Sequence, residues 1–187
     1  MSEKTTEFKI RQTEIPGLLE IDIPLIEDRR GWFQEKFQKE KLVKAGFSKK
    51  FIPVQHSISY NREVGVTRGF HAEPWEKYIG VIVGKIFAVF VDLRRGDNFG
   101  KKIEIVIDET KAVFIPKGVA NSFQTLEENT YYSYLVNDFW SQDKNSRYKF
   151  VNLADPTLAV KWPIPLRKAV ISEKDQKHPM LKDVKPI

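Results

Sequence analysis

The chain holds three histidines, and one of them, His71, lies between two cations in "VTRGFHAEPWEKYIG" (66–80). An imidazole titrates near neutrality, so a histidine oriented by a carboxylate is a general base at working pH. Tyrosines that could serve as acids occur in "TYYSYLV" (130–136), where strand geometry puts Tyr132 and Tyr134 on one face and Tyr131 on the other. A few cations in one pocket are all that a small phosphorylated ligand needs, and Arg68 and Lys77 flank His71. Strand parity raises an objection. Arg68 and His71 are separated by an odd number of residues, so a regular strand sends them to opposite faces. Both line one pocket only if the strand bends or ends near Gly69.

Other chemistries find less support. With no cysteine, the chain has no thiolate nucleophile, disulfide or cysteine metal site. His56, His71 and His178 include no His-x-His pair, so the sequence argues for no metal. No serine sits in a nucleophile elbow, and no glycine-rich loop is built to cradle phosphates. Acid–base chemistry is what remains, set against the plain alternative that strand tyrosines serve packing.

The elements that must position these groups are mostly strands. Stretches near 19–24 and at 51–60, 78–84, 85–93, 101–107, 112–116 and 130–136 are rich in β-branched and aromatic residues. Turn signals at 60–65, 94–100, 108–111 and 116–118 separate them. One helix is expected over 38–46, closed by Gly46 at C′. Many short strands without βα alternation predict an antiparallel sandwich or barrel, with the proline-interrupted C-terminal segment wrapped round it. A length of 187 residues with 41% hydrophobic content fits one domain over 1–187, its core at about 15–165 and a wrapping tail at about 166–187.

The formal charge of +6 mixes 31 cations with 25 carboxylates, and no basic stripe with stacking aromatics suggests nucleic acid. The longest apolar runs, such as "FAVFV" (87–91), are too short to cross a bilayer, and the charged N-terminus lacks a signal-peptide core. A cytoplasmic location is expected, with no membrane partner.

Several segments in one order resemble the dTDP-4-dehydrorhamnose 3,5-epimerase (RmlC) family, double-stranded β-helix (jelly-roll) proteins of the cupin type. They are "DRRGWFQEKF" (28–37), "HSIS" (56–59), "TRGFH" (67–71), Lys77, "VDLRRGDNFG" (91–100) and "FIPKGVANSF" (114–123). The series continues with "YSYLVNDFW" (132–140), "DPTLAVKWP" (155–163) and "ISEKD" (171–175). The resemblance implies an all-β cupin barrel and a cofactor-independent epimerase of a nucleotide-linked 4-keto-6-deoxy sugar. It implies C3 and C5 inversion of dTDP-4-dehydro-6-deoxy-D-glucose by deprotonation on one face and reprotonation on the other. His71 falls on the family's base, Asp175 on its orienting carboxylate, Lys77 on the lysine that steadies the enolate, and Tyr134 on the opposite-face acid. Arg68 matches the arginine that meets the diphosphate, and Trp140 an aromatic near the ligand. Arg30, Phe33 and Glu35 match an element that reaches the neighbouring subunit's site, so a homodimer is implied.

The chain also departs from the family pattern. The usual "AHGF" is "ANSF", with Asn121 for a second histidine and Ser122 for glycine, and Asn121 is resembled by only a subgroup. Pro53 and Gln55 replace a Gln-x-Asn pair, and the span from His71 to Lys77 is shorter than usual. These changes border the implied sugar pocket, with Gln55 and Asn121 among its binding residues. They keep three alternatives in view: a single-centre epimerase, a non-catalytic sugar-nucleotide-binding cupin and a metal-dependent cupin.

Overall fold

The structure is a computed structural model that describes residues 7–139, 141 and 147–187. Its first sheet contains β1 (Lys9–Gln12), β2 (Leu19–Asp22), β5 (Gln55–Asn61), β7 (Lys77–Val83), β10 (Lys111–Ile115) and β12 (Thr130–Val136), in the order β1-β2-β10-β7-β12-β5. Its second contains β6 (Val66–Ala72), β8 (Ile86–Asp92), β9 (Lys102–Ile107), β11 (Val119–Thr125) and β13 (Lys149–Phe150), in the order β13-β6-β11-β8-β9. A short β14 (Val170–Ile171) runs parallel to β6. Strands β3 (Ile26–Asp28) and β4 (Gly31–Phe33) form a separate hairpin. Apart from β14 the pairings are antiparallel, as expected for a jelly-roll barrel.

Side-chain alternation explains the layers. Ile79 and Val81 of the first sheet meet Ile86, Ala88, Phe90, Ile105, Ile107 and Phe123 of the second in the inter-sheet core. The other face of β8 carries Phe87, Val89 and Val91 against Val151, Leu153, Leu158, Leu181 and Val184 of the C-terminal segment. Because β8 is covered on both faces, its sequence is a continuous apolar run rather than an alternating one. On the outer face of the first sheet, Leu19, Ile21, Tyr78 and Phe114 pack under Leu42, Phe47 and Phe51. Leu42 belongs to α1 (Lys39–Lys44), capped by the Gln38 side chain. Gly46 follows its C-cap with φ +104°, the left-handed C′ glycine the sequence predicts.

The C-terminal segment is pinned by polar side chains rather than by long elements. Asp155 accepts the amides of Thr157 (2.8 Å), Leu158 (3.2 Å) and Leu181 (2.6 Å). Gln124 of β11 donates to the Ile164 carbonyl and accepts its amide, at 2.9 and 2.7 Å. The one-turn helix α2 (Glu173–Gln176) starts at Ser172, whose hydroxyl caps the Asp175 amide at 3.1 Å. Asn152 holds the far end, donating to the carbonyls of Gln176 (3.0 Å) and His178 (2.9 Å). The result is a fixed position for Asp175 beside β6.

Candidate active site

The parity objection to Arg68 and His71 is answered by an irregularity in β6. Opposite β11, His71 pairs with Asn121 and Arg68 with Phe123, so three steps on β6 match two on β11. That is a β-bulge, and the extra residue returns Arg68 and His71 to the same face. Gly69 makes it feasible. Its φ is +122°, and a Cβ there would lie 2.6 Å from Ser122 Cβ and 2.7 Å from the Asn121 carbonyl oxygen. Phe70 and Ala72, in turn, point into the outer core under the C-terminal segment. Ser122 donates to the Arg68 carbonyl at 2.7 Å, so the residue that replaces the expected glycine braces the bulge.

His71 Nε2 lies 3.0 Å from Asp175 Oδ1, across 104 positions of sequence. The other carboxylate oxygen accepts the Gly69 amide at 3.2 Å. Burial raises the Asp175 pKa, but the bonds to His71 and Gly69 outweigh it and hold the carboxyl below its ordinary value. An ionised Asp175 facing Nε2 fixes the proton of a neutral ring there, leaving the Nδ1 lone pair as the basic site. A hollow of about 280 Å³ runs along this edge of β6, lined by Arg68, His71, Ser172 and Asp175 among others.

Lys77, at the start of β7, is buried with 7% exposure and ion-paired to Glu73. Its Nζ is 3.4 Å from Asn121 Oδ1 and 5.2 Å from the Tyr134 ring centroid. Asn121 thus touches Lys77 while pairing with His71 in the β6–β11 ladder. Of the two tyrosines on the inward face of β12, Tyr134 is only partly buried, whereas Tyr132 stacks on Phe123 at 4.4 Å. The Tyr132 hydroxyl is buried without a partner among the described residues, and burial pushes its pKa well up. Tyr134 is therefore the hydroxyl of the pair open to a ligand.

Not every expected residue joins this group. Gln55 is on the inward face of β5 and donates to the Ser57 hydroxyl at 2.9 Å; Ser57 is opposite Tyr134. Arg68 is exposed, its guanidinium donating to Asn61 Oδ1 at 2.9 Å. Arg30 and Phe33 lie instead on the exposed β3–β4 hairpin and its turn: Arg30 pairs with Asp28 at 2.6 Å, and Phe33 is 63% exposed. Glu35 pairs with Lys41 of α1. Trp140 lies outside the described residues.

Sequence reasoning missed four neighbours of the site. Glu73 had a signal, since it precedes Lys77 by four residues in "HAEPWEK". Asn61, which holds Arg68, had none. Tyr148 stacks on Phe150 at 6.0 Å centroid separation, and burial followed by the charge of Glu73 raises its pKa. His178 lies 3.7 Å from Asp175 and was read only as one of three scattered histidines.

This geometry coincides with a family match along nearly the whole chain. The dTDP-4-dehydrorhamnose 3,5-epimerase family profile matches residues 12–183. The chain belongs to the dTDP-4-dehydrorhamnose 3,5-epimerase family, whose members are isomerases. It is 52% identical over 178 residues to the protein RmlC homolog of Streptococcus pyogenes serotype M6, covering 93% of this chain and 89% of that protein. It is 30% identical over 176 residues to the dTDP-4-dehydrorhamnose 3,5-epimerase of Shigella flexneri, covering 90% and 93%. The crystal structure of RmlC from Streptococcus suis in complex with dTDP-D-xylose superposes with a TM-score of 0.91 at 50% identity, covering 96% of this chain and 94% of that one. The cupin-type barrel expected from the resemblance is thus the family's own architecture. Within this epimerase frame, Asn121 and Ser122 contact Lys77 and the β6 bulge respectively, so both departures fall inside the site rather than beside it.

Proposed function

We propose that the chain is a dTDP-4-dehydrorhamnose 3,5-epimerase that inverts C3 and C5 of dTDP-4-dehydro-6-deoxy-D-glucose using its own acid and base side chains. The observation that carries this reading is the His71–Asp175 pair, held by the β6 bulge on the same inward face as the Lys77, Asn121 and Tyr134 group. A C4 ketone acidifies the protons on both neighbouring carbons. His71 Nδ1 takes such a proton, and the imidazolium that forms is stabilised by ionised Asp175. Negative charge moves to the C4 oxygen, where the Lys77 ammonium is a preorganised cation in a low-dielectric setting. Tyr134 then donates a proton to the opposite face of the planar enolate, which inverts the centre. Arg68, steadied by Asn61, binds the diphosphate.

Incubation with the dTDP-linked ketosugar in deuterated water, followed by NMR, tests this directly. Deuterium should enter at C3 and C5, and absence of exchange at both positions would overturn the assignment. A single-centre reading is favoured by one observation: Asn121 is in contact with Lys77 at the position where the resembled family pattern has a histidine, and asparagine transfers no proton. Exchange at one carbon alone would select it.

The functional unit is proposed to be a homodimer working in the cytoplasm, each chain acting as one domain. Ile52, Val54, Ile58 and Tyr60 leave the outward side of β5 and its lead-in exposed and apolar, and Trp32 and Phe33 do the same for the β3–β4 hairpin. Exposed apolar clusters of this kind mark interaction surfaces. Docking them against a second copy gives Arg30, Phe33 and Glu35 a route to the partner's site. Among the described residues no helix is long and apolar enough to cross a membrane.

A further inference from the structure

His178 has no part in the epimerase scheme, yet its ring is buried directly behind the catalytic pair. It is 8% exposed, stacked on Phe150 at 4.6 Å and edge-on to His71 at 5.5 Å. Both of its ring nitrogens are buried without a hydrogen-bond partner among the described residues. A buried polar group left unpaired costs stability, so two on one ring call for a ligand.

One donor atom each from His71, Asp175 and His178 lies within 4.8 Å of the other two. The Asp175 oxygen is 3.0 Å from His71 Nε2 and 3.7 Å from His178 Nε2. A tetrahedral zinc with ~2.0–2.1 Å bonds separates its ligand atoms by ~3.3 Å. The two measured separations bracket that value. Two imidazoles and one carboxylate suit zinc-class ions, and the Gly69 amide on the second carboxylate oxygen is the outer support such a ligand needs.

We propose that His71, Asp175 and His178 form a zinc-class binding site whose occupation switches the epimerase off. The inhibitory half rests on His71 being the base; the binding half does not. In the active form the neutral His71 ring keeps its proton on Nε2, shared with Asp175, and its lone pair on Nδ1. Zinc takes the place of the Nε2 proton. The displaced proton is carried by Nδ1, exchanged through solvent, with no net redox change. A ring protonated at Nδ1 accepts nothing from a sugar carbon. The ion therefore competes with catalysis by forcing the wrong tautomer.

The test uses the chelator-stripped full chain, zinc chloride as the only probe, and His178→Phe. Phenylalanine keeps the stacking on Phe150 and removes both nitrogens; His178→Gln is a second variant should the first misfold. Calorimetry should give one zinc per wild-type chain, weakened more than ~100-fold in either variant, beyond the usual loss of an outer-sphere partner. Zinc should stop solvent-deuterium exchange into the ketosugar, EDTA should restore it, and His178→Phe should exchange with or without zinc. No stoichiometric binding to the wild type, or binding by the variants as tight as the wild type's, overturns the site. Binding with unchanged exchange overturns the tautomer switch. Absence of exchange before any zinc is added would overturn the epimerase reading alone, since calorimetry decides the metal site independently.

Discussion

At the residue scale, chemistry depends on a few charges held where water is scarce. Replacing His71 by asparagine removes the proposed base without adding bulk, and turnover should fall about 10²–10⁴-fold, the usual contribution of positioned general catalysis. Near-wild-type rates in a steady-state assay would remove His71 from the role. Tyr134→Phe separates the two half-reactions. If His71 is the base as proposed, deprotonation should persist, and deuterium should still wash into substrate by NMR while the inverted product falls. Lys77 cannot be tested by truncation alone. Both Lys77 and Glu73 are largely buried, with side-chain exposures of 8% and 11%, and removing one leaves the other uncompensated. Lys77→Met should therefore cost ~3–5 kcal/mol of stability in denaturant melts. Lys77→Met with Glu73→Gln should recover much of that loss without recovering activity.

At the element scale, the site is made by one bulge and one pinned tail. Gly69→Ala demands a Cβ inside contact distance of Ser122 and of the Asn121 carbonyl, in a left-handed conformation. The conformation alone costs ~1–3 kcal/mol. The bulge should shift or the strand unpair, and solvent exchange should be lost together with thermal stability. Asp155 controls the tail that carries Asp175. Burial raises its pKa, but the amides of Leu181, Leu158 and Thr157 outweigh this and hold it below the ordinary 3.8. A depressed carboxyl stabilises the fold above its unfolded pKa and loses that contribution as pH falls through the lower, folded value. Stability measured by urea melts should therefore drop below about pH 4. Asp155→Asn should lose ~1–3 kcal/mol at neutral pH and flatten that acid slope.

For the whole molecule, two features point beyond one chain. Arg30, Phe33 and Glu35 were expected to reach the neighbouring subunit's site, and in the single chain they sit on a hairpin and beside α1, bonded to Asp28 and Lys41 where charged. The apolar side chains exposed along β5 and the hairpin give them a reason to be there. Light scattering after size-exclusion should return twice the chain mass. Ile58→Lys, placed at a 54%-exposed position on that face, should shift the protein toward monomer and lower turnover without unfolding it. A monomeric wild type with full activity would reject a shared site.

The sequence alone determined the layered β architecture, because period-two alternation and turn residues are local signals that survive without a fold. It showed α1 and its Gly46 cap, and the double-sided burial of β8 was visible as an unbroken apolar run. Through its ordered motifs it also pointed to His71, Lys77, Tyr134 and Asp175. It left β11 unmarked, since "VANSFQT" mixes polar residues that are buried only because β6 and β8 flank them. Only the tertiary structure decided which faces meet. Arg68 and His71 share a face through a bulge that strand periodicity forbids, and Asp175 reaches His71 because Ser172 and Asn152 hold a one-turn helix beside the strand. His178 gained significance the same way. Contacts over a hundred residues apart obey packing and hydrogen-bond satisfaction, and neither leaves a periodic trace in sequence.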